Sequence, residues 1–383
     1  MEKSTGHGAL SVWTHHLTKT ESLVNYKTAK YNGPAVTAQA GVSVAQIYNE
    51  ASQHGLATVG YTDGFLQGGG HGPLSSLYRL AADDILSFQV ITTQGDFVTA
   101  SPSESPDLFF ALSGGVISFI TLYVSFAHAF NLETRHIQIV WTATIKAHPD
   151  VPITAATVIF STSSAVTLDA WFKDVDAYRS IAPSITQCGG YALAVYELGF
   201  SQLSPLILPN ASRQDAVNIL NTFLKALDSL HIPYNATISS FPGFLEGYTT
   251  LSNQTLFAIA NAQVGGSLLL ESYWKSNSSL EAINNVLKTL ISSGAGVYNI
   301  VVSPKVPMGG PPRNSVFPAW RTTQATVSVF LPWDDHGNAA EAHAQQTITK
   351  TFMPAVKAVT PGSGAYMNEA SAPFSTYTFR LNL

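Results

Sequence analysis

Between Gln67 and Asp83 the sequence reads Gln-Gly-Gly-Gly-His-Gly-Pro-Leu-Ser-Ser-Leu-Tyr-Arg-Leu-Ala-Ala-Asp, and the three consecutive glycines constrain this chain more than any other stretch. A backbone without Cβ atoms reaches positive φ without strain and lets its N–H groups come close to a neighbouring group. A plain turn and a ligand-facing loop both fit that description. The flanks favour the ligand loop. Residues 35–41 alternate like a strand, and Ser43-Val44-Ala45-Gln46 has the form of a capping box. Val44, Ile47, Tyr48 and Ala51 make one apolar helical face, which Gly55 ends. Strand, helix and the short segment 56–60 then lead straight into the glycines. Beyond them, residues 85–93 and 96–100 flank Gln94-Gly95 as a hairpin. Ser105-Pro106-Asp107 reads as the cap and first turn of a short helix, stopped by Gly114-Gly115.

A chain of 383 residues exceeds one ordinary core and implies two domains. Only 11% of the residues are charged and the net charge is −5, so nothing electrostatic points to nucleic acid or to an anionic membrane. Small molecules are the expected partners. The longest apolar run, residues 116–130, is broken by Ser118, Ser125 and His128 and is shorter than a membrane span. Met1-Glu2-Lys3-Ser4 opens on polar sequence with no apolar signal core. Asn-x-Ser/Thr sequons at Asn210, Asn235, Asn253 and Asn277 suggest a secreted glycoprotein. Cys188 is the only cysteine, which excludes an internal disulfide and a cysteine-based metal site. His7, His15 and His16 do not read as a metal site, because no carboxylate stands at ligand spacing and adjacent residues on a strand point to opposite faces.

From Trp141 onward longer amphipathic helices alternate with β segments. The patterns predict helices near 166–178, 212–230 with a Ser212/Asp215 cap, and 278–291 with a Ser278/Glu281 cap. Strands are predicted at 191–198, 255–263, 267–274, 296–303 and 324–331. The result is an α+β fold whose second domain is an antiparallel sheet covered by helices. The expected division is 1–150, 151–360 and a returning segment 361–383.

Several ordered motifs resemble one family. The run 66–84, the segment Ile91-Thr92-Thr93-Gln94-Gly95-Asp96 and the stretch from Ser101 to Gly115 are similar to the FAD-linked oxidases of the berberine-bridge-enzyme-like group, within the vanillyl-alcohol-oxidase superfamily. Fungal members look most similar. Ala365-Tyr366-Met367-Asn368-Glu369-Ala370 resembles the family's C-terminal Tyr-x-Asn segment. The resemblance implies that residues 1–150 are an incomplete PCMH-type FAD-binding domain and 151–360 the substrate domain. It implies FAD contacts for Gly68, Gly69, Gly70, His71, Gly72, Leu74, Ala82, Asp83, Gly114, Gly115 and Asn368. Tyr366 would face the substrate, as a proton acceptor or as a packed aromatic with a satisfied hydroxyl. The implied chemistry is hydride transfer from an alcohol or amine carbon of a small organic metabolite to FAD, with O2 as electron acceptor and the protein a monomer. Carbohydrate oxidation and a non-catalytic remnant that no longer holds FAD are the alternatives.

The chain also departs from that family. Thr5-Gly6-His7-Gly8 imitates the histidine tether for FAD, yet the residues after it resemble the segment that follows the tether, which implies that the tether lies upstream. Residues 59–64 contain no cysteine for a second tether, and Cys188 lies in the other domain. Residues 116–138 replace a family motif, as translated intron sequence or as a genuine insertion. Residues 371–383 lack the family's closing helix. The expectation is a chain short at both ends and poorly soluble.

Overall fold

The computed structural model describes residues 12–60, 63–92, 94–115, 139–161, 168–252, 262–306, 310, 312–333 and 338–370. His7 of the tether-like Thr5-Gly6-His7-Gly8, the stretch 116–138, the sequon at Asn253 and the tail 371–383 lie outside them. By its internal contacts the chain divides into two units. The first comprises residues up to 70, 81–149 and 313–315, and the second 71–80, 150–312 and 316 onward. Residues 361–370 thus belong with the second unit, where the sequence reading returned them to the first domain. The short exchanges at 71–80 and 313–315 carry no sequence signal.

In the first unit, β1 (Thr20–Lys27) and β2 (Asn32–Gln39) form an antiparallel pair. The two-residue β3 (Leu56–Ala57) follows the helix Val44–Ser52. β4 (Ile85–Ile91), β5 (Phe97–Ala100) and β6 (Ile139–Lys146) complete a five-stranded sheet of order β1-β2-β6-β4-β5, while β7 (His148–Pro149) pairs with β3. The capping box forms as read: Ser43 N–H donates to Gln46 Oε1 at 2.8 Å and Gln46 N–H to Ser43 Oγ at 3.4 Å. Ile47, Tyr48 and Ala51 are buried from the helix, with Val36, Ala38, Phe88, Val90, Ala143 and Ile145 from the strands.

Two local expectations need correction here. Ile91 pairs with Phe97, so the β4–β5 connection spans residues 92–96 rather than a two-residue turn. Thr92 closes it, its N–H donating to Asp96 O at 2.9 Å and its Oγ1 accepting from Asp96 N–H at 3.2 Å. The helix Pro106–Leu112 begins where expected, but Ser105 sits at φ 48° and makes no side-chain cap. The proline that follows bars Ser105 from the right-handed helical region, and its carbonyl alone starts the helix by accepting from Phe109 N–H at 3.0 Å.

The second unit is built on one seven-stranded antiparallel sheet. Its strands are β8 (Ile153–Ser161), β9 (Tyr191–Glu197), β10 (Phe200–Pro209), β11 (Tyr234–Phe241), β12 (Ala262–Leu270), β13 (Gly296–Val301) and β14 (Thr323–Pro332), in the order β11-β8-β10-β9-β13-β14-β12. Helices Leu168–Gln187, Arg213–Ser229, Asn277–Ser292 and Met353–Val359 supply the partners of the main core. Alternation along β9 and β14 sends Ala192, Ala194, Tyr196, Ala325, Val327 and Val329 into that core together with Trp171, Tyr178, Phe223 and Leu287. The intervening Tyr191, Leu193, Thr326 and Ser328 are buried too, so the central strands are covered on both faces. The face away from the main core carries the polar residues of the candidate site.

Ser212 and Asp215 form the expected reciprocal cap of the helix Arg213–Ser229, and their hydrogen bonds hold the Asp215 carboxyl below its ordinary range. The helix Asn277–Ser292 is capped by Ser276, which accepts from Ser279 N–H at 3.3 Å, not by Ser278. β12 runs through Gly265-Gly266, paired with Val329 and Ser328, and a 3-10 turn begins at Glu271. The glycine pair that reads as a break between two strands is therefore inside one. Of the strand predicted at 255–263, residues 255–261 lie outside the described residues. β10 escaped prediction, because its paired faces show no alternation: both Leu206 and Ile207 are fully buried. Among the described residues no helix is long and apolar enough to cross a membrane.

Candidate functional site

In the first unit the helix Asp63–Gln67 runs into the glycine loop, where Gly69 and Gly70 take φ values of 104° and 64°. The carbonyls of Gly69 and Gly70 accept from Ala82 N–H and Ala81 N–H, each at 2.9 Å, which stitches the loop to the 3-10 turn Ala81–Asp83. A Cβ on Gly70 would stand 2.5 Å from the Phe65 ring and 2.9 Å from Ala81 Cβ, so only glycine fits. Gly69 N–H donates back to Leu66 O at 3.1 Å, whereas Gly70 N–H donates to no atom among the described residues. Asp83 is buried, and its Oδ1 accepts from Asn314 Nδ2 at 2.7 Å. Its carbonyl accepts from Lys146 Nζ at 3.2 Å. The neighbouring Asp84 meets His148 Nε2 at 2.7 Å, so both buried acids are compensated.

Gly114 and Gly115 have a packing explanation. Gly114 has φ 102°, and a Cβ on Gly115 would approach Ser315 Oγ to 2.4 Å. Ser315 locks this corner: its Oγ lies 2.8 Å from Phe110 O and 3.0 Å from Ser113 O, and its N–H donates to Ser113 O at 2.9 Å. Within this unit, then, the predicted positions Gly68, Gly69, Gly70, Ala82 and Asp83 come together around one stitched loop.

The second unit holds the other predicted positions. Gly72 and Leu74 are structural: Gly72 N–H donates to Ser75 Oγ at 2.9 Å, and Leu74 is fully buried just before the helix Ser75–Tyr78. His71 is different. Its ring lies 4.9 Å from the Tyr366 ring, edge to face, and 5.4 Å from Trp320, while Trp320 and Tyr366 are 5.8 Å apart. All three rings are buried, yet neither imidazole nitrogen of His71 has a hydrogen-bond partner among the described residues.

Tyr366 stands at the entrance to the 3-10 turn Met367–Glu369, Asn368 lies within it, and the turn runs along β12. The segment leading to it is pinned where Leu268 N–H donates to Gly364 O at 2.8 Å and Tyr273 Oη to Pro361 O at 2.9 Å. Asn368 Nδ2 donates to Tyr366 Oη at 2.7 Å. An amide proton aimed at a phenol oxygen stabilises negative charge there. Glu369 Oε1 lies 3.7 Å from His71 Nε2, and its Oε2 accepts from Ser328 Oγ on β14 at 2.6 Å. Crowding by the protein pushes the Glu369 carboxyl upward, but His71 and Ser328 outweigh it and hold the group below its ordinary range. Burial, aided by the Glu369 charge, pushes the Tyr191 phenol far above its ordinary range, so that hydroxyl stays protonated.

Sequence reasoning reached Tyr366, Asn368 and His71 but missed Trp320, Ser328, Glu369, Asn314 and Ser315 as members of these clusters. Ser328 had a readable signal, since it is a polar residue in an otherwise apolar strand. Asn314 and Ser315 had none, because their roles arise from contacts with residues more than two hundred positions away.

No family model matches the chain. The FAD-linked oxidoreductase patO of Aspergillus clavatus is 36% identical over 378 residues, which cover 96% of this chain and 62% of that protein. The FAD-linked oxidoreductase sthB of Phaeosphaeria nodorum is 35% identical over 255 residues, 65% of this chain and 75% of that protein. The structure of the VAO-type flavoprotein MtVAO615 from Myceliophthora thermophila C1 superimposes with a TM-score of 0.80 at 26% identity, covering 95% of this chain and 65% of that one. The chain spans less than two thirds of the length of the first and third of these proteins.

Proposed function

Since this chain belongs to the VAO-type FAD-linked oxidoreductases, we propose that it oxidises an alcohol or amine carbon of a small organic metabolite, with O2 as the final acceptor. The observation that carries this reading is the Asn368–Tyr366 hydrogen bond of 2.7 Å beside a buried wall of aromatic rings. Removing a hydride from such a carbon requires that the attached O–H or N–H proton leave as well. A phenolate oxygen held by an amide donor can take that proton and become the neutral phenol, and Tyr366 is the group so placed.

The residues fit FAD on the chemistry of their donors. Gly70 N–H is free of a partner among the described residues, and a backbone N–H with no side chain of its own beside it can meet an acceptor atom of the group. Gly68, Gly69, Gly70, Ala82 and Asp83 of the first unit would hold FAD. When bound, FAD supplies the two-electron acceptor for the hydride. Asn368 would steady Tyr366 as the phenolate, which becomes the neutral phenol when it takes the proton, and Trp320 with His71 lies against that ring.

The test is Tyr366→Phe, with flavin absorbance and turnover both measured. Flavin content stays at the wild-type level and turnover falls roughly 10²- to 10⁴-fold, the range for removing a positioned general base. Near-normal turnover would remove Tyr366 from the mechanism, and a wild-type protein that folds but stays colourless after FAD is added would support a remnant instead.

A further inference from the structure

His71 is 8% exposed, and a buried polar atom without a partner costs stability comparable to a lost hydrogen bond. Here two such atoms share one ring. Nothing in the packing makes this an accident of a loose surface. The ring packs against both Trp320 and Tyr366, which also meet each other, and it follows directly on the glycine loop. Its two nitrogens are not equivalent. Nε2 looks toward the Glu369 carboxylate at 3.7 Å, an electrostatic contact too long for a hydrogen bond, and Ser328 Oγ anchors the far oxygen of that carboxylate at 2.6 Å. Nδ1 has no protein group to meet among the described residues.

A carboxylate on the Nε2 side favours the tautomer with the proton on Nε2, because that N–H then points at negative charge. The lone pair is left on Nδ1. We propose that His71 Nδ1 is a hydrogen-bond acceptor for an N–H or O–H of the bound ligand, with Glu369 and Ser328 as the positioning residues that set the ring's tautomer. This rests on the reading above that Tyr366 and its neighbours handle the ligand, and adds a specificity element to it. The site requires a donor opposite Nδ1. A hydroxyl or amine qualifies, whereas an ether or ester oxygen at that place would leave Nδ1 facing another lone pair. The donor belongs either to the substrate or to the cofactor, and the two are separable by experiment.

The direct test uses the whole protein with 15N-labelled histidine, reading the His71 tautomer from its ring nitrogen shifts. The wild type carries the proton on Nε2, and Glu369→Gln, which removes the charge but keeps the shape, gives a mixed or reversed tautomer. This readout needs no bound flavin, so it stands even if the oxidase reading fails. In parallel, His71→Phe keeps an aromatic ring against Trp320 and Tyr366 but removes both nitrogens. If the donor is the substrate's, the variant retains flavin and its KM rises about tenfold. If the donor is the cofactor's, the variant purifies with little flavin and binds added FAD about tenfold more weakly. A wild-type proton on Nδ1, a tautomer unchanged in Glu369→Gln, or a His71→Phe protein with both wild-type KM and wild-type flavin content would each overturn the proposal.

Discussion

The glycine corner of the first unit and the aromatic cluster of the second treat their polar groups in opposite ways. Around Gly69, Gly70 and Asp83 nearly every donor and acceptor is consumed internally: two loop carbonyls by Ala81 and Ala82, one carboxylate by Asn314, and a second, on Asp84, by His148. Around Tyr366 a buried imidazole has no hydrogen-bond partner among the described residues, and an amide points at a phenol oxygen. The first arrangement is rigid scaffolding that presents backbone. The second withholds satisfaction from side chains that a ligand can complete, at a cost in stability that packing elsewhere offsets. Shape is therefore invested in one region and chemistry in the other.

This contrast can be broken by substitutions on either side. The largest effect belongs to the chemical side, where Tyr366→Phe lowers turnover by the orders of magnitude given above while the melting temperature stays within a few degrees. On the scaffolding side, Gly70→Ala forces a Cβ into the Phe65 ring at positive φ and costs about 2–4 kcal/mol of stability, with loss of flavin, by denaturant unfolding. An equal loss of turnover in Gly70→Ala with full flavin content and full stability would erase the distinction. Ser315→Ala strips a hydroxyl from carbonyls of the Gly114–Gly115 corner and costs roughly 1–2 kcal/mol, again without changing KM in the protein that remains folded.

A smaller effect separates a buried acid from a half-buried one by pH. Burial raises the Asp174 carboxyl well above its ordinary 3.8, against a weaker opposing pull from nearby Ser201, and neither carboxylate oxygen has a full hydrogen bond among the described residues. A folded-state value above the unfolded one means that the stabilisation is complete below about 3.8 and is lost as pH rises through the folded value. Asp174→Asn thus raises the melting temperature at neutral pH by roughly 2–4 °C and leaves it unchanged at the acid end. Glu369 has the opposite sign. Its folded value is depressed, so its contribution is present above its ordinary 4.5 and fades as pH falls, and Glu369→Gln flattens that acid limb. Melting curves of the two variants across pH would sharpen the comparison, or break it if both shift in the same direction.

Much of this was legible before any coordinates. The capping boxes at Ser43 and Ser212 are local devices written in four residues, and the structure forms both. The antiparallel sheet under helices follows from alternation in β9, β13 and β14. What sequence could not give is long-range partnership. The Ser278 cap failed because Ser276 and Ser278 are both plausible caps, and only the entry of the preceding 3-10 turn chooses between them. Gly265-Gly266 looked like a strand boundary because glycine weakens strands locally, yet here it lies between paired neighbours. For the site, the motif pointed to His71, Tyr366 and Asn368. Glu369 stood beside them unnoticed because its meaning depends on Ser328, forty-one residues away on a strand. Likewise, Gly114 and Gly115 read as ligand contacts, although Ser315 accounts for Gly115 by packing alone.

The central claim is that this chain holds FAD and uses Tyr366 beside it. Titration of the purified protein with FAD, following quenching of flavin fluorescence in wild type and in Gly70→Ala, tests it most directly. Saturable one-to-one quenching in the wild type, weakened at least tenfold in Gly70→Ala, is the predicted result. A folded wild-type protein that leaves flavin fluorescence unchanged at every concentration would contradict the account.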